Sequence, residues 1–279
     1  MPSIDSLLAG LELRPDGPGR YRADNMDTGH AVVFGGQLLA QTITAALLDH
    51  PDKAVKTVHT VFARGGNVEQ GVEIDVDVMH GGRAFASSTV TIRQGERLVT
   101  RSLVLLSAEE PDLIRHGEPM PSVGAPEDAV GDTAHGTGDW EIRTVGGVDI
   151  ADPDAVGPAE LDVWTRFVGA PDDPGTGQAL LGFATDGFLI GTAMRPHPGV
   201  GQAQAHVTLS TGVVSHTLTF HEPFSAADWL LLSHRAPYAG HGRSYGRADV
   251  FRADGTHVAS FVQDAMIRAI PEGRGPSAL

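Results

Sequence analysis

Val72, Ile74, Val76 and Val78 alternate with Glu73, Asp75 and Asp77. A period of two sends successive side chains to opposite faces, so this stretch reads as a half-buried strand. A turn follows at Gly81-Gly82, then a Ser-, Thr- and Val-rich run from Phe85 to Ile92. Gln94-Gly95 marks a second turn, and Leu98 to Leu106 forms a third strand. The pattern predicts an antiparallel meander. Ahead of it, in the segment Gly35 to Leu48, Leu39, Ile43, Ala46 and Leu47 recur at helical spacing, and Pro51 closes the segment. Almost every position there is apolar or small, which predicts a helix buried on all sides. The expected unit is one buried helix wrapped by an antiparallel sheet.

The same order recurs later. The segment Leu180 to Met194 is the second helix region, ended by Arg195-Pro196. Strands are expected around Val213–Phe220, Trp229–Ser233, Arg243–Phe251 and His257–Ile267. Short segments also match. His80-Gly81-Gly82-Arg83 has a counterpart in His241-Gly242-Arg243, and Val58-His59-Thr60-Val61-Phe62 in Ser215-His216-Thr217-Leu218-Thr219-Phe220. Arg83 to Arg243 and Gly95 to Gly255 are both 160 residues apart. Self-similarity at one offset predicts two tandem copies of one fold. The expected division is residues 1–107, a crossover linker over 108–138 that is rich in Glu, Asp, Pro and Gly, and residues 139–279. Residues 270–279 read as a frayed tail.

Composition narrows the class. A chain of 279 residues with 41% hydrophobic content suffices for two packed domains. A formal charge of −15 disfavours nucleic acid and anionic membrane surfaces. There is no cysteine, so neither a disulfide nor a thiolate nucleophile is available. No signal pattern and no membrane-spanning apolar run is found, and a cytoplasmic location is expected.

Gly242-Arg243-Ser244-Tyr245-Gly246 matches the nucleophile-elbow pattern. The elbow requires a strand-to-helix turn with the acid and histidine further along the chain. Here Ser244 enters an alternating strand and the only later histidine is His257, so a hairpin is the expected reading. None of the 13 histidines forms the paired zincin spacing, and Asp149, Asp152 and Asp154 lack the rest of a calcium loop. No metal and no cofactor is expected. His59 and His216 are expected as hydrogen-bonded strand residues.

Two polar residues stand out. Asp186 lies among apolar neighbours in Gly182-Phe183-Ala184-Thr185-Asp186-Gly187-Phe188-Leu189, where its ordinary role would be a helix cap. Gln263 interrupts the apolar side of the last strand. At the 160-residue offset it stands over Leu103, read as a core residue. A polar side chain in that place calls for a partner, and Asp186 on the packed helix is a candidate. A buried Asp–Gln pair can hold and orient a water.

Val33-Phe34-Gly35-Gly36-Gln37, Gly82-Arg83-Ala84-Phe85, Leu180 to Asp186, and Asp254-Gly255 through Val258-Ala259-Ser260 to Gln263-Asp264 resemble the type II acyl-CoA thioesterases. Trp140-Glu141-Ile142-Arg143 and Trp164-Thr165-Arg166 fit the opening of that family's second half, and the likeness runs from about Tyr21 to Arg268. The resemblance implies an α+β tandem double hotdog, with two antiparallel sheets each wrapping a long central helix. It implies hydrolysis of acyl-CoA thioesters by a water held between an Asp, a Gln and a hydroxyl residue. It places Asp186 and Gln263 in the first two roles. Counting back from Phe220-His221 puts Val213 where the family has its hydroxyl, with Thr211 and Ser215 as substitutes on the same strand parity.

The N–H groups around Gly35, Gly36 and Gln37, at a helix start, are expected to polarise the thioester carbonyl. Coenzyme A is expected near Arg64, Arg83 and Arg243. The partners implied are the acyl-CoA substrate and further copies of the chain, as a dimer or tetramer. The rival reading, supported by Val213, is a catalytically weakened acyl-CoA-binding or scaffold protein.

Overall fold

The computed structural model describes residues 3–29, 32–131 and 138–270. The first half carries α1 (Ile4–Gly10), β1 (Arg14–Pro15), β2 (Arg20–Ala23), α2 (Gly35–Leu48), β3 (Ala54–Phe62), β4 (Val72–Gly81), β5 (Phe85–Gln94) and β6 (Arg97–Ser107). The second carries β7 (Val130–Gly131), β8 (Trp140–Thr144), β9 (Glu160–Phe167), α3 (Pro174–Ala184), α4 (Leu189–Met194), β10 (Leu209–Phe220), β11 (Leu230–Gly240), β12 (Arg243–Arg252) and β13 (His257–Ala269).

The thirteen strands of the described residues join one antiparallel sheet, in the order β1-β2-β4-β5-β6-β3-β10-β13-β12-β11-β9-β8-β7. The two expected sheets are therefore edge-joined. β3 and β10 pair from Thr57–Thr219 to Val61–Ser215, which satisfies both central edges at once. Helices α2 and α3 pack against each other as well as against the strands, and α4 packs against the strands of the second half. One apolar core runs through both halves, from Leu39 and Ile43 on α2 to Leu180 and Phe183 on α3 and on to Leu232 and Phe261. α2 is buried over ten of its fourteen residues, as its apolar sequence requires.

The second helix departs from expectation. It begins earlier, at Pro174, where Asp173 caps it by accepting from Thr176 N–H at 2.7 Å. It stops at Ala184 and resumes as α4 at Leu189. Asp186 sits in this break rather than at a helix start. The Thr185 hydroxyl, bonded back to Gly182 O at 2.9 Å, stands at the end of α3, where Gly187 follows within two residues.

The linker has no helix or strand over residues 108–125. Met120, Val123 and Ala129 then lie over Trp164, Leu231 and Phe251, covering an apolar patch on the outer face of the sheet. Linker residues 132–137 and tail residues 271–279 lie outside the described residues. Ser244 lies in β12, entered through a turn with His241 and Gly242 at positive φ, so the hairpin reading holds. The turn glycines Gly95 and Gly255 both take positive φ, which matches the repeat.

One step of the repeat argument needs correction. Leu103 is 52% exposed, an outward residue of β6 and not a core one. The burial patterns of β6 and β13 superimpose at an offset of 159, which sets Val99-Thr100 over Val258-Ala259 and Val104 over Gln263. Val104 is fully buried, so Gln263 does replace an apolar core side chain, but a different one. A one-residue slip exchanges the faces of a strand, and counting without gaps cannot see it.

Candidate active site

Asp186 is held where the two halves meet. Its carboxylate reaches the first turn of α2, whose N-cap residue Phe34 supplies no side-chain cap bond. The Gly36 N–H donates to it, so a residue of the second half caps the helix of the first. The approach is close enough to demand glycine. A Cβ on Gly35 would stand 2.6 Å from Asp186 Oδ2, and one on Gly36 would strike the Phe183 carbonyl. The carboxyl is half-buried and lines a cavity. Desolvation pushes its pKa up to about 7, against the opposing pull of the Gly36 N–H.

Gln263 meets Asp186 from β13. Its Nε2 donates to Asp186 Oδ1 at 3.1 Å, and lies 3.5 Å from His216 Nδ1. Its Oε1 is buried and has no partner among the described residues. His216 on β10 is fully buried beside the ring of Phe261, 5.4 Å away, and its Nε2 lies 3.0 Å from Thr185 Oγ1. Burial, with the nearby His59, depresses the His216 pKa to about 3, so the ring is neutral. Sequence reasoning read His216 as a strand residue and overlooked Thr185. The available signal was the adjacency of Thr185 to Asp186, together with a histidine at a core position.

A cavity of about 390 Å³ opens beside Asp186. The first half lines it with Val33, Phe34, Gly35, Leu38, Phe62 and Arg64, and the second with Asp186, Ile190, Gln202, His206, Thr211 and Val213, among others. Both copies therefore contribute to its wall. Half of these twelve residues carry apolar side chains, which suits a hydrophobic ligand.

The remaining sequence candidates divide. Thr211 and Val213 both line the cavity, but Ser215 does not; its Oγ donates to Asp264 Oδ2 at 2.9 Å on the exposed face. The shared parity is broken by a bulge at Val214: Val213 pairs with Ala265 while Ser215 pairs with Asp264. The Gly36 N–H is taken by Asp186 and the Gln37 N–H bonds Phe34 O at 3.1 Å, so neither is free for an oxyanion. The Gln37 side chain is structural: it accepts from Met26 N–H and donates to Asn25 Oδ1. Gly35 remains at the cavity, and with it the positive end of α2. Arg64 reaches the cavity wall, whereas Arg83 and Arg243 are exposed and do not line it.

Comparisons with known proteins bear on the family and the fold. The chain is 28% identical to acyl-CoA thioesterase 2 of Haemophilus influenzae, over 95% of this chain and 98% of that one. It is 25% identical to acyl-coenzyme A thioesterase 8 of Mus musculus, over 86% and 81% respectively. Among solved structures, an acyl-CoA thioesterase II from Mycobacterium marinum superimposes with a TM-score of 0.81 at 24% identity, over 96% of this chain and all of that one. A hot dog fold protein from Alicyclobacillus acidocaldarius superimposes with a TM-score of 0.77 at 19% identity, over 95% and 98%. These two likenesses bear on the fold, an α+β double hotdog. Sequence models of the acyl-CoA thioesterase N-terminal and C-terminal domains match residues 22–107 and 116–267 in that order, and the chain belongs to the acyl-CoA thioesterase family.

Proposed function

We propose that this chain hydrolyses acyl-CoA thioesters to free acid and CoA on a water held between Asp186 and Gln263. The chain is an acyl-CoA thioesterase, and the observation that carries the site is the 3.1 Å bond between those two side chains beside the apolar cavity. A carboxyl whose pKa lies near 7 is half ionised at neutral pH and takes a proton readily in the transition state. The unpartnered Gln263 Oε1 is an acceptor for a hydrogen of the same water. With one hydrogen held there and the other on the carboxylate, a lone pair of the water faces the thioester carbon. Attack forms the tetrahedral intermediate; its collapse expels the CoA thiolate, which takes up the proton.

In this reading the family's hydroxyl is absent. Val213 occupies its place, and Thr211 lies two residues further along the strand, roughly 6–7 Å away. The acyl chain enters between Phe34, Leu38 and Phe62, and Arg64 at the cavity wall is the candidate contact for CoA phosphate. Arg83 and Arg243 are given no part in the site.

The proposed division at 107 and 138 is supported by the first matched span ending at 107, although the second begins inside the linker. No helix among the described residues is long and apolar enough to cross a membrane. We assign the protein to the cytoplasm and to a homo-oligomer of two or four chains. Exposed Val61, Leu103 and Leu105 on the outer sheet face support self-association, which sedimentation of the purified protein tests.

The activity test is thiol release from acyl-CoAs of increasing chain length, run beside Gln263→Ala. Release by the wild type, lost in the folded variant, supports the reading. Tight acyl-CoA binding without release would favour the binding-protein alternative.

A further inference from the structure

We infer that His216 is a positioning residue for the reaction, locked by Thr185 as the Nε2–H tautomer so that Nδ1 accepts from the Gln263 amide and turns Gln263 Oε1 to the water. The inference rests on the Asp186–Gln263 reading of the site and deepens it.

The hydrogens can be counted. The Thr185 hydroxyl has one hydrogen, and Gly182 O lies 2.9 Å from its oxygen. With that hydrogen used, Thr185 Oγ1 can only accept from His216 Nε2, 3.0 Å away. A neutral imidazole carries one N–H, so Nδ1 is then a bare acceptor. The Gln263 amide presents Nε2 to two acceptors at once, Asp186 Oδ1 at 3.1 Å and His216 Nδ1 at 3.5 Å. Both Nε2 hydrogens are used. The flipped amide would set Oε1 against the Nδ1 lone pair and against the carboxylate, two repulsive contacts. One tautomer, set by one threonine, thus selects one amide orientation and leaves Oε1 as the free atom.

His216 and Thr185 touch neither substrate nor water in this scheme. Both are fully buried, and the Phe261 ring packs against the imidazole at 5.4 Å, tilted 38° to it. Without Thr185 Oγ1 the proton is free to move to Nδ1. That tautomer donates to Gln263, favours the flipped amide and points an N–H at the water's position.

The test compares Thr185→Val and Thr185→Ser, with His216→Asn and His216→Leu in parallel. Valine keeps the shape of threonine and removes the lock. Expected is a fall in kcat of about tenfold at unchanged KM, as for one misplaced hydrogen-bond partner of the reacting water. Thr185→Ser is expected to restore most of that loss. Asn Oδ1 can stand where Nδ1 stands and has no tautomer to choose. His216→Asn is therefore expected to lose far less kcat than His216→Leu, and adding Thr185→Val to His216→Asn is expected to cost nothing further. A merely structural role predicts the opposite: Thr185→Val equally harmful in both backgrounds, or harmless in folded protein, and either result overturns the inference. Should Thr185→Val fail to fold, equal kcat losses in His216→Asn and His216→Leu overturn it instead. Full activity in folded Gln263→Ala would sink the site itself. Loss of activity there, with Thr185 and His216 variants unaffected, would remove only the positioning role.

Discussion

Gln263 donates to Asp186 across 77 residues of sequence, from β13 in the interior of the sheet to the break between α3 and α4. The contact exists because the helix stops two residues before Asp186. A continuous helix would carry that carboxylate round its own axis. The break instead lets it meet Gln263 on one side and the first turn of α2 on the other.

Removing either member of this pair is expected to lower turnover by roughly 10²–10⁴-fold, the usual cost of a lost acid–base or water-holding group. Asp186→Asn keeps the shape and the fold. Steady-state kinetics with circular dichroism on Asp186→Asn and Gln263→Ala give the result; full activity in either folded variant rejects its role.

The hydroxyl position is tested separately. Val213 lines the cavity, and in the proposed reading it stands in for the hydroxyl residue of the family, so Val213→Thr is expected to raise turnover about three- to tenfold through one added neutral hydrogen bond. Ser215→Ala is expected to leave turnover unchanged, since Ser215 Oγ faces Asp264 on the outer surface. A large loss in Ser215→Ala, or in Thr211→Val without a loss of folding, would show that the hydroxyl comes from elsewhere on β10.

The raised pKa of Asp186 gives a signed pH dependence. As a proton acceptor it must be ionised, so kcat/KM is expected to fall as the pH drops through about 7. Stability runs the other way. The folded pKa lies above the ordinary 3.8, so the protonated carboxyl favours the folded state fully below 3.8, and that advantage is lost as pH rises through 7. Asp186→Asn is thus expected to gain stability relative to wild type at pH 8 and not at pH 4, by at most about 4 kcal/mol. Denaturant melts at the two pH values measure it.

Two buried histidines add an acid limb of opposite sign. Burial lowers His216 to about 3 and His234 to about 4, both below the ordinary 6.5. Their contribution is present above pH 6.5 and is lost as pH falls towards those values. His234→Phe is expected to flatten the loss of stability between pH 6.5 and 4. The same slope in variant and wild type would assign the acid limb to other groups.

Gly36→Ala probes the helix contact. Its methyl would meet the Phe183 carbonyl and the Phe34 ring, a clash costing roughly 1–3 kcal/mol. As α2 backs away, the Gly36 N–H leaves Asp186 and its lowering influence goes with it. The acid limb of kcat/KM is expected to move to higher pH, read from a pH–rate profile. An unmoved limb in folded protein would mean that the bond does not tune Asp186.

The local patterns were enough for the elements. Alternation in Val72–Val78, the apolar run of Gly35–Leu48 and the paired turn glycines Gly95 and Gly255 each express a period or a φ requirement that one segment carries by itself. The duplication and the family likeness were readable for the same reason, and Asp186 and Gln263 were visible as polar residues in apolar surroundings. What needed the tertiary structure was everything set by register and by non-local contact. The bulge at Val214 turns Ser215 away from the cavity, and the one-residue slip between β6 and β13 replaces Leu103 by Val104 beneath Gln263. The pairing of β3 with β10 makes one sheet of two, and the break after α3 brings Asp186 to the Gly36 N–H. The Thr185–His216–Gln263 chain joins three elements 78 residues apart at its extremes, on side chains whose individual neighbours are ordinary. Strand faces reverse with a single inserted residue, and hydrogen-bond networks depend on angles and burial; neither leaves a periodic trace in the order of the amino acids.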